Sequence, residues 1–266
     1  MSTAIAFHRP ASVAEASRLA AGDPEAKLLA GGQSLIPSLK LGLLAPSAFI
    51  DLSTIPGLRG IEARGRTLTI GAMTTHAEVA ASAAVREHIP ALAGLAGDIG
   101  DRQVRNRGTI GGSLANSDPA ADYPAAVLGL GATLRTNRRS IPADEFFKGL
   151  FETALEPGEL LTAVEFPIPE LAAYLKFPQP ASRFALVGVF VSRAGARARV
   201  AVTGAGACAF RVSQMEAALA RAFTPEALRG ITVAAEGLNG DLHGSAEYRA
   251  HLIAVLAGRA IAQALA

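Results

Sequence analysis

Two pairs of adjacent glycines, about eighty residues apart, are the parts of this sequence best suited to binding a ligand. The first pair lies in AGGQSL at residues 30–35, and the second lies in TIGGS at residues 109–113. Because glycine has no Cβ, the backbone at such a site can approach a ligand closely and adopt positive φ, so that successive N–H groups surround an anion. The two segments predict a long phosphate-containing ligand bound between them.

Neither segment matches the commoner nucleotide-binding motifs. The sequence contains no GxxxxGK[ST], which argues against a P-loop NTPase. Its nearest match to GxGxxG is GAGACA at residues 204–209, which comes late in the chain and has no second mononucleotide-binding half beside it. We interpret GAGACA as a tight turn between a strand and a helix near residues 213–223.

The composition is that of a globular protein and gives no support to nucleic-acid binding. The 266 residues carry 25 basic and 23 acidic side chains, a formal net charge of +2, without a long basic run. The apolar stretch at residues 125–134 is much shorter than the roughly 20 residues that cross a bilayer. Residues 1–10 lack the apolar core of a signal peptide. We therefore expect a cytoplasmic protein without a membrane span.

Metal-ligating residues are sparse. Cys208 is the only cysteine, so this chain can form neither an intrachain disulfide nor an iron–sulfur cluster held by four of its own thiolates. The five histidines show no HxxxH or HExxH spacing. We expect no metal site within the chain, and no GxSxG sequence indicates a hydrolase nucleophile.

Hydrophobic periodicity and helix-breaking residues predict an α+β fold in three segments. The first segment contains a helix that starts after Ser12, with Glu15 completing a capping box, and strands on either side of the first glycine pair. The second contains two hairpins and several helices. Pro167 and Pro169 mark a boundary, beyond which antiparallel strands and two helices are predicted. The segments are residues 1–57, 58–169 and 170–266.

Further motifs surround both glycine pairs and continue towards the C-terminal end. They are AGGQSL at 30–35, TTH at 74–76, QVRNRGTIGG at 103–112, SDPAADYP at 117–124, YLK at 174–176, RFA at 183–185, and the late residues Asp241, Tyr248 and Arg249. In this order the motifs resemble the FAD-binding medium subunit of molybdenum hydroxylases, the family of xanthine dehydrogenase and carbon monoxide dehydrogenase. The resemblance implies a two-subdomain FAD-binding fold of the vanillyl-alcohol oxidase (PCMH) type, followed by a C-terminal domain with an antiparallel sheet and helices.

The resemblance also implies where FAD binds. Backbone N–H groups of both glycine segments are expected on its pyrophosphate. Asp122 is expected near the ribityl chain or ring edge, although it could instead cap the helix that follows. Lys176 and Leu161 are expected near the isoalloxazine ring, with a surface lysine and a core leucine as the alternatives. The implied cofactor-binding residues are Leu29, Ala30, Gly31, Gly32, Gln33, Ser34, Leu35, Thr109, Ile110, Gly111, Gly112, Ser113, Asp122, Leu161 and Lys176.

The motifs do not decide the roles of Phe184 and His76. Phe184 either covers the ring face or packs in the core, and the second of these is slightly favoured. His76 is expected to have a structural role, and no residue is expected to be catalytic. We further expect that Gly111→Val or Gly32→Val abolishes flavin binding while the fold persists, because a branched Cβ would lie where backbone meets phosphate.

The function implied by the resemblance is electron transfer. FAD on this chain would take electrons from the 2Fe-2S clusters of a small partner subunit and pass them to an external acceptor. A large molybdopterin subunit would hydroxylate the substrate, and the assembly would be a dimer of heterotrimers. A stand-alone FAD-dependent oxidase or reductase of the same fold is the alternative. A binding module that has lost flavin is a third reading, against which the intact glycine pairs argue.

Overall fold

The computed structural model describes residues 5–266, and residues 1–4 of the first predicted segment lie outside that range. The strands are β1 Ala6–His8, β2 Lys27–Leu29, β3 Ala48–Asp51, β4 Ile61–Arg64, β5 Thr67–Gly71, β6 Thr133–Thr136, β7 Ser140–Pro142, β8 Phe147–Gly149, β9 Glu152–Thr153, β10 Leu161–Pro167, β11 Leu171–Pro178, β12 Ala185–Ala194, β13 Arg197–Thr203 and β14 Phe210–Arg211. The helices are α1 Val13–Gly22, α2 Leu35–Lys40, α3 His76–Ala81, α4 Ala83–His88, α5 Pro90–Gly97, α6 Arg102–Arg107, α7 Ile110–Asn116, α8 Tyr123–Leu130, α9 Ala143–Phe146, α10 Ser213–Arg221 and α11 Ala246–Leu265, with a short 3-10 helix at Pro225–Leu228.

The first sheet is parallel, with β3 between β1 and β2. Helix α1 packs on this sheet and begins after Ser12, whose Oγ accepts a hydrogen bond from the Glu15 N–H. The Glu15 carboxylate accepts from the Ala11 N–H and not from that of Ser12, so only half of the predicted capping box forms. Because β2 ends at Leu29, the first glycine pair begins where the sheet ends.

The second sheet is antiparallel, in the order β4-β5-β10-β6-β7. Its inward side chains, among them Leu68, Ile70 and Phe166, are fully buried and share one apolar core with helices α5, α7 and α8. Helix α8 is buried along its whole length, as its uninterrupted apolar sequence predicts. This sheet and its helices carry the second glycine pair and Asp122.

The third sheet has the order β11-β12-β13-β14, also antiparallel. Strand β12 is buried on both faces because alternate side chains contact different layers. Val187, Val189 and Val191 pack with helices α10 and α11, whereas Phe190 joins the core that contains α8. The sheet therefore lies between the C-terminal helices and the second segment.

Mixed helix and sheet agree with the predicted α+β class, and both predicted hairpins of the second segment are present. One prediction of local structure is wrong, because the second glycine pair lies in the first turn of α7 and not in a loop. Helices α4 and α6 were not predicted, since each is only six residues long and shows no apolar periodicity. Within residues 5–266, no helix combines the length and the hydropathy that crossing a bilayer requires.

Candidate functional site

A cavity of about 700 Å³ lies between the two glycine segments and the third sheet. This volume is within the range of about 300–1,000 Å³ that is usual for small-molecule and cofactor sites. Most of the predicted cofactor residues line it: Ala30, Gly31, Gly32, Gln33, Ser34, Leu35, Thr109, Gly111, Gly112, Ser113, Asp122 and Leu161. Leu29, Ile110 and Lys176 are not among its lining residues, and both Ile110 and the Lys176 side chain are buried.

The first glycine segment presents unpaired backbone donors to the cavity. Within the described residues, the N–H groups of residues 31–35 have no acceptor. The carbonyl oxygens of Gly32 and Ser34 accept bonds from the N–H groups of Ile36 and Ser38 in α2. Gly32 has a φ of +72°, a conformation that other residues adopt only with strain. Backbone donors beside a cavity need a partner, and an anion at this position would accept from several of them at once.

The second glycine segment differs, because protein acceptors already hold its N–H groups. Gly111 N–H donates to the Ala72 carbonyl oxygen at 2.8 Å, and Gly112 N–H donates to Thr109 Oγ1 at 3.1 Å. The N–H groups of residues 110–113 are thus bonded within the protein, and the binding of the pyrophosphate by backbone N–H groups of this segment stays a prediction. The cavity wall here offers side chains instead, since Ser113 and Asn116 line the cavity and show no hydrogen-bond partner within residues 5–266.

Gly111 is required for packing. A Cβ at this position would lie 2.5 Å from Ala72 Cβ and 2.7 Å from the Ala72 carbonyl oxygen, which is too close for either to remain in place. The expectation that Gly111→Val keeps the fold is therefore wrong, because the added atoms meet protein backbone. Gly32 differs from Gly111, because a Cβ added at Gly32 would have the flexible side chain of Ile36 as its nearest neighbour, at 3.1 Å.

The two glycine segments touch each other. A Cβ on Gly31 would overlap the carbonyl oxygen of Arg107, the last residue of α6, and a Cβ on Gly112 would lie 3.4 Å from Ala30 Cβ. The missing side chain of Gly31 thus lets the first segment lie directly against the end of α6, which leads into the second segment. The structure brings together two segments that are about eighty residues apart in sequence.

Asp122 lies at the cavity wall and is only 5 % exposed. It has helical φ and ψ and makes no capping bond, which removes the helix-capping alternative. Tyr174 Oη donates to Asp122 Oδ1 at 2.5 Å, and Lys176 Nζ lies 3.1 Å from the same oxygen. Burial raises the pKa of the Asp122 carboxyl, and the Lys176 cation and the Tyr174 hydroxyl oppose that rise.

Lys176 is not a surface lysine. Its side chain is as buried as that of Asp122, and Nζ also donates to the Asp98 carbonyl oxygen at 2.9 Å. Leu161, at the start of β10, contributes to the cavity wall and is nearly buried. Phe184 is 49 % exposed and lines the cavity, so the favoured alternative of core packing is wrong for it.

His76 lines the cavity and packs against the ring of Tyr123, with ring centroids 5.3 Å apart. Burial, with a smaller effect of Arg105, lowers the pKa of His76 to about 4, so the imidazole is neutral near pH 7. His76 Nδ1 and Tyr123 Oη are both buried without a hydrogen-bond partner among the described residues. Neither side chain makes a contact that indicates proton transfer.

No sequence motif assigns several other lining residues to the cofactor. They include Lys27, Leu155, Glu159 and the loop residues Ala181 and Ser182. Glu159 is held by Arg139, with Nε–Oε1 and Nη2–Oε2 distances of 2.9 and 3.0 Å, and these bonds lower the pKa of Glu159 to about 2. Adjacency to Leu161 and to the RFA motif is the only signal that could have found Glu159 and the loop. No group of three potential metal ligands occurs in residues 5–266.

Comparison with known proteins identifies the class to which this fold and cavity belong. The family model described as "FAD binding domain in molybdopterin dehydrogenase" matches residues 3–169. The chain belongs to this family of FAD-binding oxidoreductase subunits, and the unpaired donors and volume of the cavity fit FAD.

Similar proteins include the nicotine 6-hydroxylase medium subunit of Paenarthrobacter nicotinovorans, which is 38% identical over 98% of this chain and 97% of its own length. The carbon monoxide dehydrogenase medium chain of Hydrogenophaga pseudoflava is 37% identical over 96% of this chain and 95% of its own. A structure of carbon monoxide dehydrogenase from Hydrogenophaga pseudoflava superposes with a TM-score of 0.90 at 36% identity, covering 100% of this chain and 98% of that chain. The structure of quinoline 2-oxidoreductase from Pseudomonas putida 86 superposes with a TM-score of 0.87 at 33% identity, covering 98% of this chain and 96% of that chain.

Proposed function

We propose that this chain is the FAD-carrying electron-transfer subunit of a molybdenum hydroxylase, which takes electrons from 2Fe-2S clusters of a partner subunit and passes them to an external acceptor. The observation that carries the proposal is the cavity wall at residues 31–35, which lines a volume of about 700 Å³ and whose N–H groups have no acceptor within residues 5–266. Similarity to medium subunits of known complexes over nearly the whole chain supports it.

Residues of this chain would bind and orient the cofactor, and FAD itself would supply the redox chemistry when bound. The N–H groups of residues 31–35 would donate to the pyrophosphate. The side chains of Ser113 and Asn116 would donate from the opposite segment. Asp122 would accept from a hydroxyl or ring N–H group of the cofactor, while Leu161 and Phe184 would exclude water from the ring.

The finer description of the fold is also proposed. Each larger sheet draws its strands from one stretch of chain, which supports subdomains at residues 1–57, 58–169 and 170–266. We assign the first two to an FAD-binding fold of the vanillyl-alcohol oxidase (PCMH) type and the third to the C-terminal domain of medium subunits. Each of the larger apolar clusters lies mainly within one of the last two subdomains.

The proposed partners are a small 2Fe-2S subunit and a large molybdopterin subunit, in a cytoplasmic dimer of heterotrimers. The relatives support this, since their names describe medium subunits and chains. The single cysteine of this sequence also means that any iron–sulfur clusters must be held by another chain.

The test is co-purification of the tagged chain from cells that express its natural gene neighbourhood. We expect stoichiometric partners that contain iron, sulfide and molybdopterin, and substrate-dependent bleaching of the flavin only in the complex. Isolation of the chain alone, with turnover of an organic substrate, would favour a stand-alone oxidase or reductase.

A further inference from the structure

Two side chains of β11 converge on the Asp122 carboxylate. Tyr174 and Lys176 are two residues apart on the strand, so their side chains point to the same face of the third sheet. Both contact Asp122 Oδ1, at 2.5 Å from Tyr174 Oη and 3.1 Å from Lys176 Nζ. Oδ2 is 3.4 Å from Lys176 Nζ, and no other donor reaches it within the described residues. Oδ1 thus has two close partners, whereas Oδ2 has only the longer bond from Lys176 and can accept from a further donor.

The sheet is built to admit the Tyr174 hydroxyl. A Cβ on Gly188, in the neighbouring strand β12, would overlap this oxygen, so glycine leaves the space that the hydroxyl occupies. Tyr174 itself is 7 % exposed. Most buried hydroxyl groups in proteins are hydrogen-bonded, and the Tyr174 hydroxyl donates to Asp122.

The backbone that carries Asp122 is also fixed by this sheet. Thr203 Oγ1 lies 2.6 Å from the Ala121 carbonyl oxygen and 2.9 Å from that of Pro119. Gly204 N–H donates to the Pro119 carbonyl oxygen at 2.7 Å. Because strand β13 and its turn hold the segment before Asp122, the direction of the carboxylate depends mainly on Tyr174 and Lys176.

We propose that Tyr174 is a positioning residue for the cofactor: its hydroxyl and Lys176 hold Asp122 Oδ1 and so keep the carboxylate charged and turned to present Oδ2 to a donor group of FAD. This proposal rests on the proposed function, because it needs FAD in the cavity.

The charge state of Asp122 follows from the groups around it. Lys176 and Tyr174 on β11 favour the carboxylate, whereas burial and the nearby Asp98 at the end of α5 favour the neutral acid. Tyr123, the residue that follows Asp122, remains neutral because burial raises its pKa far above the usual range. Loss of the Tyr174 hydroxyl would raise the pKa of Asp122 further, so protonation would begin at higher pH.

The chain offers a matched control. Tyr123 and Tyr174 are both almost completely buried, but Tyr123 Oη has no partner within residues 5–266 whereas Tyr174 Oη is bonded to Asp122. Tyr123→Phe and Tyr174→Phe therefore remove the same atom from similar surroundings. Only Tyr174→Phe removes a hydrogen bond from the Asp122 carboxylate.

The experiment measures the FAD dissociation constant of each apoprotein between pH 5 and 8, and the midpoint potential of the bound flavin. We expect Tyr174→Phe to weaken binding about tenfold near pH 7, the effect of one charge-assisted hydrogen bond. Its acid-side loss of affinity should begin at higher pH than in the wild type. Its midpoint potential should be more positive, because a neutral Asp122 leaves the Lys176 cation unbalanced beside the flavin. Tyr123→Phe should match the wild type in all three measurements.

Identical affinity, pH profile and potential in the two tyrosine variants would overturn the proposal. Failure of the wild type to bind FAD would instead overturn the proposed function. If Tyr174→Phe does not fold, Asp122→Asn carries the test, since asparagine keeps the shape and removes the charge. We then expect a flat pH profile on the acid side and a more positive potential, and an unchanged profile and potential would refute the role of the carboxylate.

Discussion

Gly111 and Gly32 belong to similar sequence motifs, but their replacement by alanine should have different effects. In Gly111→Ala the new Cβ would lie 2.5 Å from Ala72 Cβ and 2.9 Å from Ala72 Cα, so the connection between β5 and α3 must move. Overpacking of this kind costs about 1–3 kcal/mol, and weakening of the 2.8 Å bond from Gly111 N–H to the Ala72 carbonyl oxygen adds about 1 kcal/mol. We expect the free energy of unfolding of the apoprotein to fall by about 2–4 kcal/mol.

Gly32→Ala should lower the stability of the protein less than Gly111→Ala does, and it should lower the affinity for FAD more. Its Cβ would meet only the flexible Ile36 and Leu29 side chains, at 3.1 and 3.4 Å, and the main cost is the left-handed backbone, about 1–2 kcal/mol. Relaxation of that φ would turn the N–H groups of residues 31–35 away from the cavity. We expect FAD affinity to fall more in this variant than in Gly111→Ala.

The assays are urea unfolding of the apoproteins and FAD titration of each variant at one pH. Gly94→Ala is the control, because Gly94 lies inside α5 with nothing within 4 Å of its added Cβ. Alanine there should raise helix stability by roughly 0.5–1 kcal/mol and leave FAD affinity unchanged. If Gly111→Ala unfolds at the same urea concentration as the wild type, the packing role assigned to this glycine is refuted.

Three further predictions concern the cofactor, His76 and the partners. Heat should release FAD from the purified protein, and release of FMN would contradict a cavity that spans a pyrophosphate. The pKa of His76 is about 4 in the folded protein and about 6.5 when unfolded, so the free energy of unfolding should fall by up to about 3 kcal/mol as the pH drops from about 6.5 towards 4. His76→Leu should lose this pH dependence. An unchanged pH dependence in this variant would show that another group titrates. The isolated chain should bind FAD yet hydroxylate no aldehyde, N-heterocycle or carbon monoxide, as product analysis would show.

The regular elements of the fold were predictable because their patterns are strong and local. The hairpins β4–β5 and β6–β7 follow from alternating residues around short polar turns. Helix α8 follows from an apolar run between Asp122 and Gly131. The polar helix α6 has no such pattern, and its sequence RQVRNR reads equally well as a loop.

The cavity could be predicted only in part, since sequence motifs identify residues and not what their atoms contact. Both glycine pairs proved to be at one cavity, but the same GG sequence serves two purposes. At Gly32 it provides a left-handed backbone beside free donors, and at Gly111 it provides close packing against Ala72. The bond from Tyr174 to Asp122 joins residues 52 positions apart, and such long-range contacts have no local signature.

Transfer of electrons into this chain from a partner is the central proposal, and anaerobic mixing tests it most directly. The FAD-loaded chain is mixed with the reduced small iron–sulfur subunit, from which excess reductant has been removed, and visible absorption follows flavin and clusters together. We predict that the flavin band bleaches while the clusters are reoxidised. An oxidised flavin band that persists beside reduced clusters would contradict the proposal.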